Sequence, residues 1–365
     1  VYGESIIKNK IMKNFFASKW GIIIAGICIG LIASLLQFFG NPANMGFCMA
    51  CFIRDIAGSI GLHNASVVQY VRPEIIGILF GALIISIIKG EFKPRGGSSS
   101  IIRFFLGVFA MIGALVFLGC PWRAFLRLAG GDLNAILGIA GLAAGIYIGT
   151  IFLKRGFSLG RTTAAEGKLS GYIIPIFFVA IFLLFVFNFA KIMISTKGPG
   201  AMHAPLLISL GAGLIVGYLA QRSRFCTMGS LRDIFIIKNY HLFTGLAAFF
   251  IAVLVVNLIL GQFNMGFERQ PIAHNLHIWN FLGMMLSGLA FVLAGGCPGR
   301  QLVLTGEGNT DSGIFVMGML VGAGFAHNFG LSSSPKGLGP YGDIASIIGI
   351  AFCLFVGFLM IKKNK

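Results

Sequence analysis

Seven cysteines punctuate the 365 residues of this chain, and four of them stand in two pairs of matching motifs. Phe47-Cys48, five residues, then Arg54-Asp55-Ile56 reappears as Phe225-Cys226, five residues, then Arg232-Asp233-Ile234. Gly119-Cys120-Pro121, with Arg123 two positions on, reappears as Gly296-Cys297-Pro298 with Arg300. Order and spacing are kept, so the chain carries an internal repeat. A thiol is a weak hydrogen-bond donor and acceptor built on a soft, polarisable sulfur. Buried away from positive charge it stays neutral and can offer S–H to an anion without repelling it. Such groups suit a soft, sulfur-like anion that must be held weakly enough to leave again. Proline after Cys120 and Cys297 fits the first position of a short helix. N–H groups at such a helix start would add partial positive charge.

The remaining candidates are less specific. Cys51 completes Cys48-x-x-Cys51, a spacing used for redox chemistry or soft metals, but its repeat counterpart is Gly229. No second Cys-x-x-Cys or His cluster completes a tetrahedral metal site, so no metal and no cofactor is expected. Cys28 and Cys353 read as small buried hydrophobes. Arg54-Asp55 and Arg232-Asp233 read either as anchors of their segments or as an entrance field for anions. Consecutive residues on a helix do not face each other, so each is expected to bond another part of the fold. Arg123 and Arg300 carry the same two readings, since charges within a membrane are costly and mark function. Glu307, in Thr305-Gly-Glu-Gly-Asn309, is a loop cap or a proton-coupling group. Neither a phosphate-binding nor a dinucleotide fingerprint occurs, nor a Ser/His/Asp constellation.

The elements that must position these residues are apolar. Hydrophobic residues make up 57% of the chain and charged residues 11%, about half the ~25% charged share of a soluble protein. A water-soluble enzyme is excluded on that ground. About 20 apolar residues cross a bilayer, and such runs occupy 20–39, 73–89, 101–119, 133–153, 171–190, 204–220, 241–260, 278–296, 312–328 and 341–361. The first is full spanning length without a small-residue cleavage site, so it reads as a span and not a leader. Between the runs lie 44–62, 120–131, 222–237 and 297–308, too short and mixed to span. Each holds glycine and a cysteine, as re-entrant backbone buried in protein would. Gly141-x3-Gly145-x3-Gly149 and Gly213-x3-Gly217 read as packing faces.

Ten crossings place both termini on one side. With the N-terminus inside, most of the 28 lysines and arginines fall on cytoplasmic ends. These are Lys8, Lys10, Lys13, Lys19, Lys89, Lys93, Arg95, Arg103, Lys154, Arg155, Arg161, Lys168, Arg222, Arg224, Arg232, Lys238, Arg300, Lys362, Lys363 and Lys365. The net charge of +17 is thus a topology signal, and no nucleic acid is expected as a partner. Five crossings separate the run before Cys48 from the run before Cys226, and an odd number inverts the second copy. Inverted copies place substrate near the midplane, at broken helices. The expected fold is therefore all-α: a polytopic membrane protein of about ten transmembrane helices in two inverted repeats, with short re-entrant cysteine-bearing segments. It forms one transporter domain over 1–365, with repeat 1 at 20–153, a connecting span at 171–190, repeat 2 at 203–328 and a C-terminal span at 341–361.

Four stretches resemble the YeeE/YedE family of sulfur-compound transporters, and most closely its selenium-metabolism branch. They are Asn44-Met-Gly-Phe-Cys-Met-Ala-Cys-Phe-Ile-Arg-Asp55, Gly119-Cys-Pro-Trp-Arg123, Arg224-Phe-Cys-Thr-Met-Gly-Ser-Leu-Arg-Asp233 and Gly295-Gly-Cys-Pro-Gly-Arg300. The resemblance implies an hourglass-shaped bacterial inner-membrane protein that takes up thiosulfate along cysteine thiols. It also implies a small cytoplasmic sulfur-carrier or sulfurtransferase protein as partner. By motif, the family's central cysteines fall on Cys48, Cys120, Cys226 and Cys297. Better-characterised thiosulfate members show three such cysteines and this chain four, plus Cys51, a departure that touches the choice between thiosulfate and a selenium analogue. The expected function is uptake of a small sulfur or selenium anion, not an enzymatic reaction. Cys48 would meet substrate on the outer side and Cys226 on the inner, with Cys120 and Cys297 nearer the centre. The rival is a membrane thiol redox or sulfur-transfer enzyme using Cys48-x-x-Cys51.

Overall fold

The computed structural model describes residues 15–361 apart from 17, 166, 189 and 190. Lys8, Lys10, Lys13, Lys362, Lys363 and Lys365, read as marks of cytoplasmic termini, lie outside the described residues. Among the described residues fourteen helices follow in chain order: α1 (Lys19–Phe38), α2 (Met49–Ser59), α3 (Pro73–Ile88), α4 (Ser100–Phe117), α5 (Pro121–Ala129), α6 (Asn134–Lys154) and α7 (Ile173–Val186). They continue as α8 (Leu206–Ser223), α9 (Thr227–Ile237), α10 (His241–Ile259), α11 (His277–Ala294), α12 (Pro298–Gly306), α13 (Thr310–Asn328) and α14 (Gly342–Leu359). One 3-10 turn precedes α7, and two two-residue strands, β1 (Arg95–Gly96) and β2 (Thr163–Ala164), pair antiparallel.

The chain is an all-α polytopic membrane protein. All ten apolar runs fold as helices. Eight segments are long and apolar enough to cross a bilayer among the described residues. The two runs outside that set have physical reasons: α3 is only 16 residues long, and α13 is rich in glycine and carries Asp311. Side chains such as Trp20, Ile101, Leu207 and Ile259 stay largely exposed on the helix surfaces, where they would meet lipid.

Corresponding helices of the two copies run in opposite directions. Past the end of α1, Asn41 Oδ1 accepts from Ala204 N at the start of α8 (2.9 Å), while Phe16 before α1 packs on Tyr218 near the end of α8. Arg103 at the start of α4 donates to Ala294 O at the end of α11 (3.0 Å), and His274 before α11 lies 2.8 Å from Val116 O at the end of α4. Loop contacts are mirrored too. Asn264 N and Gly266 N donate to Gly130 O and Gly131 O (2.9 and 3.0 Å), as Lys93 N and Arg95 N donate to Glu307 O and Gly308 O (3.0 and 3.2 Å). The helix pairing obeys the same twofold logic: α3 packs on α8 as α10 packs on α1, and α6 packs on α11 as α13 packs on α4.

Glycines let these helices touch backbone to backbone, the close approach that replaces hydrophobic drive inside lipid. A Cβ on Gly141 or Gly145 would lie 2.0 Å from the carbonyl of Phe281 or Met285, and one on Gly217 would lie 2.2 Å from Ile78 O. Gly113 and Gly283 meet each other across the α4–α11 contact. Gly145→Ala is therefore expected to destabilise the protein by about 1–3 kcal/mol, the usual cost of overpacking. Gly211→Ala, where nothing lies within 4 Å, leaves stability unchanged or slightly raised. Thermal melting in detergent compares the two; equal melting points would mean that α6 and α11 are not in backbone contact.

Candidate functional site

Each repeated motif breaks a helix and starts another. The chain turns through a left-handed residue shortly before each of four cysteines: Asn44 (φ 56°), Leu118 (φ 64°), Arg224 (φ 56°) and Gly295 (φ 89°). Glycine takes that conformation freely, but for Leu118 and Arg224 it costs roughly 1–2 kcal/mol. The Leu118 carbonyl is held by Arg123 Nη1, which offsets that strain. After each turn the cysteine occupies the N-cap: Cys48 of α2, Cys120 of α5, Cys226 of α9 and Cys297 of α12. Pro121 and Pro298 fill the first helical position of α5 and α12, where no N–H is needed.

Sulfur is a poor choice if capping were the only duty. Ser, Thr, Asp and Asn are the preferred N-caps, because oxygen accepts the orphan N–H groups better. Here Cys48 Sγ accepts from Cys51 N and Cys226 Sγ accepts from Gly229 N, both at 3.3 Å. Cys120 and Cys297 hold the N-cap position without a side-chain cap bond, so capping alone does not account for a thiol at all four starts.

The structure gathers the cysteines into two clusters. On one side Cys48 stands in side-chain contact with Cys120 and Cys51. Cys51 Sγ lies 3.7 Å from Arg123 Nη1 and 4.0 Å from Leu118 O. On the other side Cys226 Sγ and Cys297 Sγ are 3.6 Å apart. All seven cysteines are free thiols; Cys353 is buried in α14 and Cys28 half-buried on α1, away from both clusters. Among the described residues no group of three or more His, Cys, Asp or Glu is arranged to hold a metal ion.

Access to the two clusters differs. Cys226 opens into a cavity of about 1030 Å³, whose wall includes Lys89, Glu91, Lys93, Arg95, Arg222, Arg224, Arg232, Asp233, Arg300 and Glu307. Basic side chains outnumber acidic ones there, so the vestibule attracts anions. Arg222 pairs with Glu91 (3.0 Å), while Glu307 receives Arg300 (3.4 Å) and Arg95 (3.5 Å). Arg224 stays exposed, with no ion pair among the described residues. Cys48, Cys51 and Cys120 are fully buried. Above them Arg123 donates to Asn44 O (3.2 Å), Ile272 O (3.1 Å) and Pro271 O (3.4 Å), tying the 261–276 loop over the cluster. Its repeat counterpart Arg300 makes no such clamp and faces the vestibule.

The Arg-Asp pairs depart from the sequence reading, which sends each member to a separate partner. Arg54 Nε and Nη2 both donate to Asp55 Oδ1 (2.9 and 2.7 Å), and Arg232 does the same with Asp233 (2.9 and 2.8 Å). The long arginine stem folds back over its neighbour, which the helix-face rule ignores. Asp55 also receives Arg72 (2.7 Å), making a buried triad that anchors α2, whereas Arg232-Asp233 is partly exposed on the vestibule wall. Arg127–Asp132 (2.6 Å) is a further buried pair, which sequence reasoning missed. Also missed were Trp122 and Phe225, packed edge-to-face at 5.3 Å between the two cysteine clusters. The one available signal was the mismatch of Trp122 with Gly299 in otherwise matching motifs.

The profile of the family described as Sulphur transport matches residues 4–148 and 222–362, which covers both cysteine clusters. The chain belongs to the sulphur transport family. Among curated proteins it is 31% identical over 121 residues to the thiosulfate transporter TsuA of Escherichia coli K12, a match covering 33% of this chain and 34% of that protein. It is 35% identical over 105 residues to the thiosulfate transporter TsuA of Spirochaeta thermophila, covering 27% of this chain and 31% of that protein. The matched stretch spans about a third of each relative's length. Within this family member the open vestibule predicts unequal thiol reactivity. A bulky maleimide should modify Cys226 in the native protein and spare Cys48, Cys51 and Cys120, as peptide mass spectrometry would show. Equal labelling of all four would contradict the closed face over Cys48, Cys51 and Cys120.

Proposed function

We propose that this protein takes up a small sulfur-containing anion, thiosulfate or its selenium analogue, across the bacterial inner membrane, passing it from thiol to thiol. The carrying observation is that four short helices start at cysteines in opposed copies and gather those thiols into two clusters. Helix N-termini supply partial positive charge, and the thiols supply neutral, soft contacts that hold the anion without trapping it. The named relatives are thiosulfate transporters, which supports the sulfur anion. Cys48, Cys51 and Cys120 would take the anion on the outer side and Cys297 and Cys226 would release it into the vestibule. Arg95, Arg224, Arg232 and Arg300 hold the field there, with Glu307 and Asp233 tempering it. Arg54-Asp55 and Arg123 anchor the outer cluster.

This reading takes the chain as one transporter domain over 1–365, with repeats at 20–153 and 203–328, a connecting span at 171–190 and a C-terminal span at 341–361. Both termini lie in the cytoplasm, on the side of the vestibule. A small cytoplasmic sulfur-carrier or sulfurtransferase protein, the partner the family resemblance implies, would receive the anion there. Transport is favoured over thiol redox or sulfur-transfer catalysis by Cys48-x-x-Cys51, because both thiols are sealed beneath the Arg123 clamp, out of reach of a protein reductant.

Cys120→Ala or Cys297→Ala should abolish uptake of labelled thiosulfate in a strain lacking other importers, at unchanged protein level. Cys226→Ser keeps the helix cap and should still lower uptake at least tenfold, because oxygen replaces the soft sulfur. Wild-type uptake by Cys120→Ala and Cys297→Ala would exclude the thiol route, and parallel assays with selenium anions settle the substrate.

A further inference from the structure

We infer that Trp122 is a specificity-determining donor on this pathway: its indole N–H binds the oxygen end of the anion between the two thiol clusters. The inference deepens the thiol-relay reading and rests on it. Trp122 lies two residues after Cys120 on α5, and its ring crosses toward the opposite copy. It packs edge-to-face on Phe225, the residue before Cys226, and against Gly299, two residues after Cys297. A Cβ on Gly299 would stand 3.2 Å from Trp122 Cζ2 and 3.4 Å from Nε1. The indole therefore touches the chain beside both inner cysteines while rooted beside an outer one.

Two features separate this residue from ordinary core filling. Trp122 is 1% exposed, and its Nε1 has no hydrogen-bond partner among the described residues. Buried indole N–H groups normally find an acceptor, and leaving one unmade costs free energy. An anion passing the site would supply that acceptor. The second feature is broken symmetry. Gly299 is the repeat counterpart of Trp122, and in a close-packed interior two indoles facing each other near the pseudo-twofold axis would collide. One copy supplies the ring and the other supplies the space.

The chemistry fits an anion with two unlike ends. In thiosulfate the terminal sulfur is soft and suits the thiols, whereas the sulfonate oxygens are hard and suit an N–H donor. Trp122 would hold the oxygen end while the sulfur end moves from Cys120 toward Cys297. Anions without a soft end would meet the indole but find no good partner in the thiols.

The test uses purified full-length protein in proteoliposomes. Trp122→Phe keeps the ring and removes the donor. It should raise the KM for thiosulfate about tenfold, the usual effect of losing a hydrogen bond to a charged group, at unchanged folded yield. In a Trp20→Phe/Trp279→Phe background Trp122 is the sole tryptophan of the chain's three. Its fluorescence should then change saturably with thiosulfate and much less with sulfate, a readout that stands even if Trp122→Phe fails to fold. An unshifted KM in folded Trp122→Phe, or Trp122 emission blind to thiosulfate, overturns the role of Trp122 while leaving the thiol route intact. Absence of thiosulfate uptake by the unaltered protein overturns the underlying reading instead.

Discussion

Backbone N–H groups at a helix start need partners, and inside a membrane water is not available to provide them. Four helices of this protein start within the fold, after turns at Asn44, Leu118, Arg224 and Gly295, each with a cysteine at the N-cap position, where the Cys48 and Cys226 sulfurs accept a backbone N–H. That constraint orders the rest. Breaking a helix there requires left-handed residues, carbonyls held by buried arginines, and glycine-lined crossings that let the broken pieces sit between full spans. In return the fold gains a set of helix starts, each with a polarisable sulfur at its tip.

The two copies are alike in their framework and unlike at their tips. The mirrored loop bonds at Gly130–Gly131 and Glu307–Gly308 show how closely the framework repeats. Yet Arg123 is spent on the carbonyls of Asn44, Leu118, Pro271 and Ile272, while Arg300 faces an open, basic vestibule. The same motif position thus closes one face and lines the other. Buried charge follows the same division. Arg54, Asp55, Arg72, Arg127 and Asp132 are each ion-paired on the closed side, where a buried charge without a counter-charge is costly. On the open side Arg224 keeps its charge available, in reach of solvent. The fold is thus sealed over the Cys48, Cys51 and Cys120 cluster and open beside Cys226.

Much of the architecture was legible because it repeats. The Phe-Cys and Gly-Cys-Pro motifs announced two copies, and counting apolar runs between them gave the inversion seen in the antiparallel pairing of α1 with α8 and α4 with α11. Run lengths located ten of the fourteen described helices, although α3 and α13 fall short as spans by length or polarity, and the short helices α2, α5, α9 and α12 lie in the mixed segments between the runs. Side-chain partnerships were less legible. Arg54-Asp55 was read by a helix-face rule that holds for short side chains and fails for a guanidinium that folds back on its neighbour. The partnership of Arg127 with Asp132 depends on the turn through Gly130 and Gly131, which no periodicity encodes. Trp122 escaped notice because tryptophan in an apolar chain reads as core, and its meaning comes from the empty space at Gly299 across the pseudo-axis.

The central claim is that neutral thiols, and not a fixed charge or a redox couple, carry the anion. The most direct measurement is flux of radiolabelled thiosulfate into proteoliposomes holding only the purified protein, without reductant or acceptor. Wild type is compared with the variant in which Cys48, Cys120, Cys226 and Cys297 are all alanine. Saturable uptake by the first and none by the second is the predicted result; equal uptake by both would contradict the account.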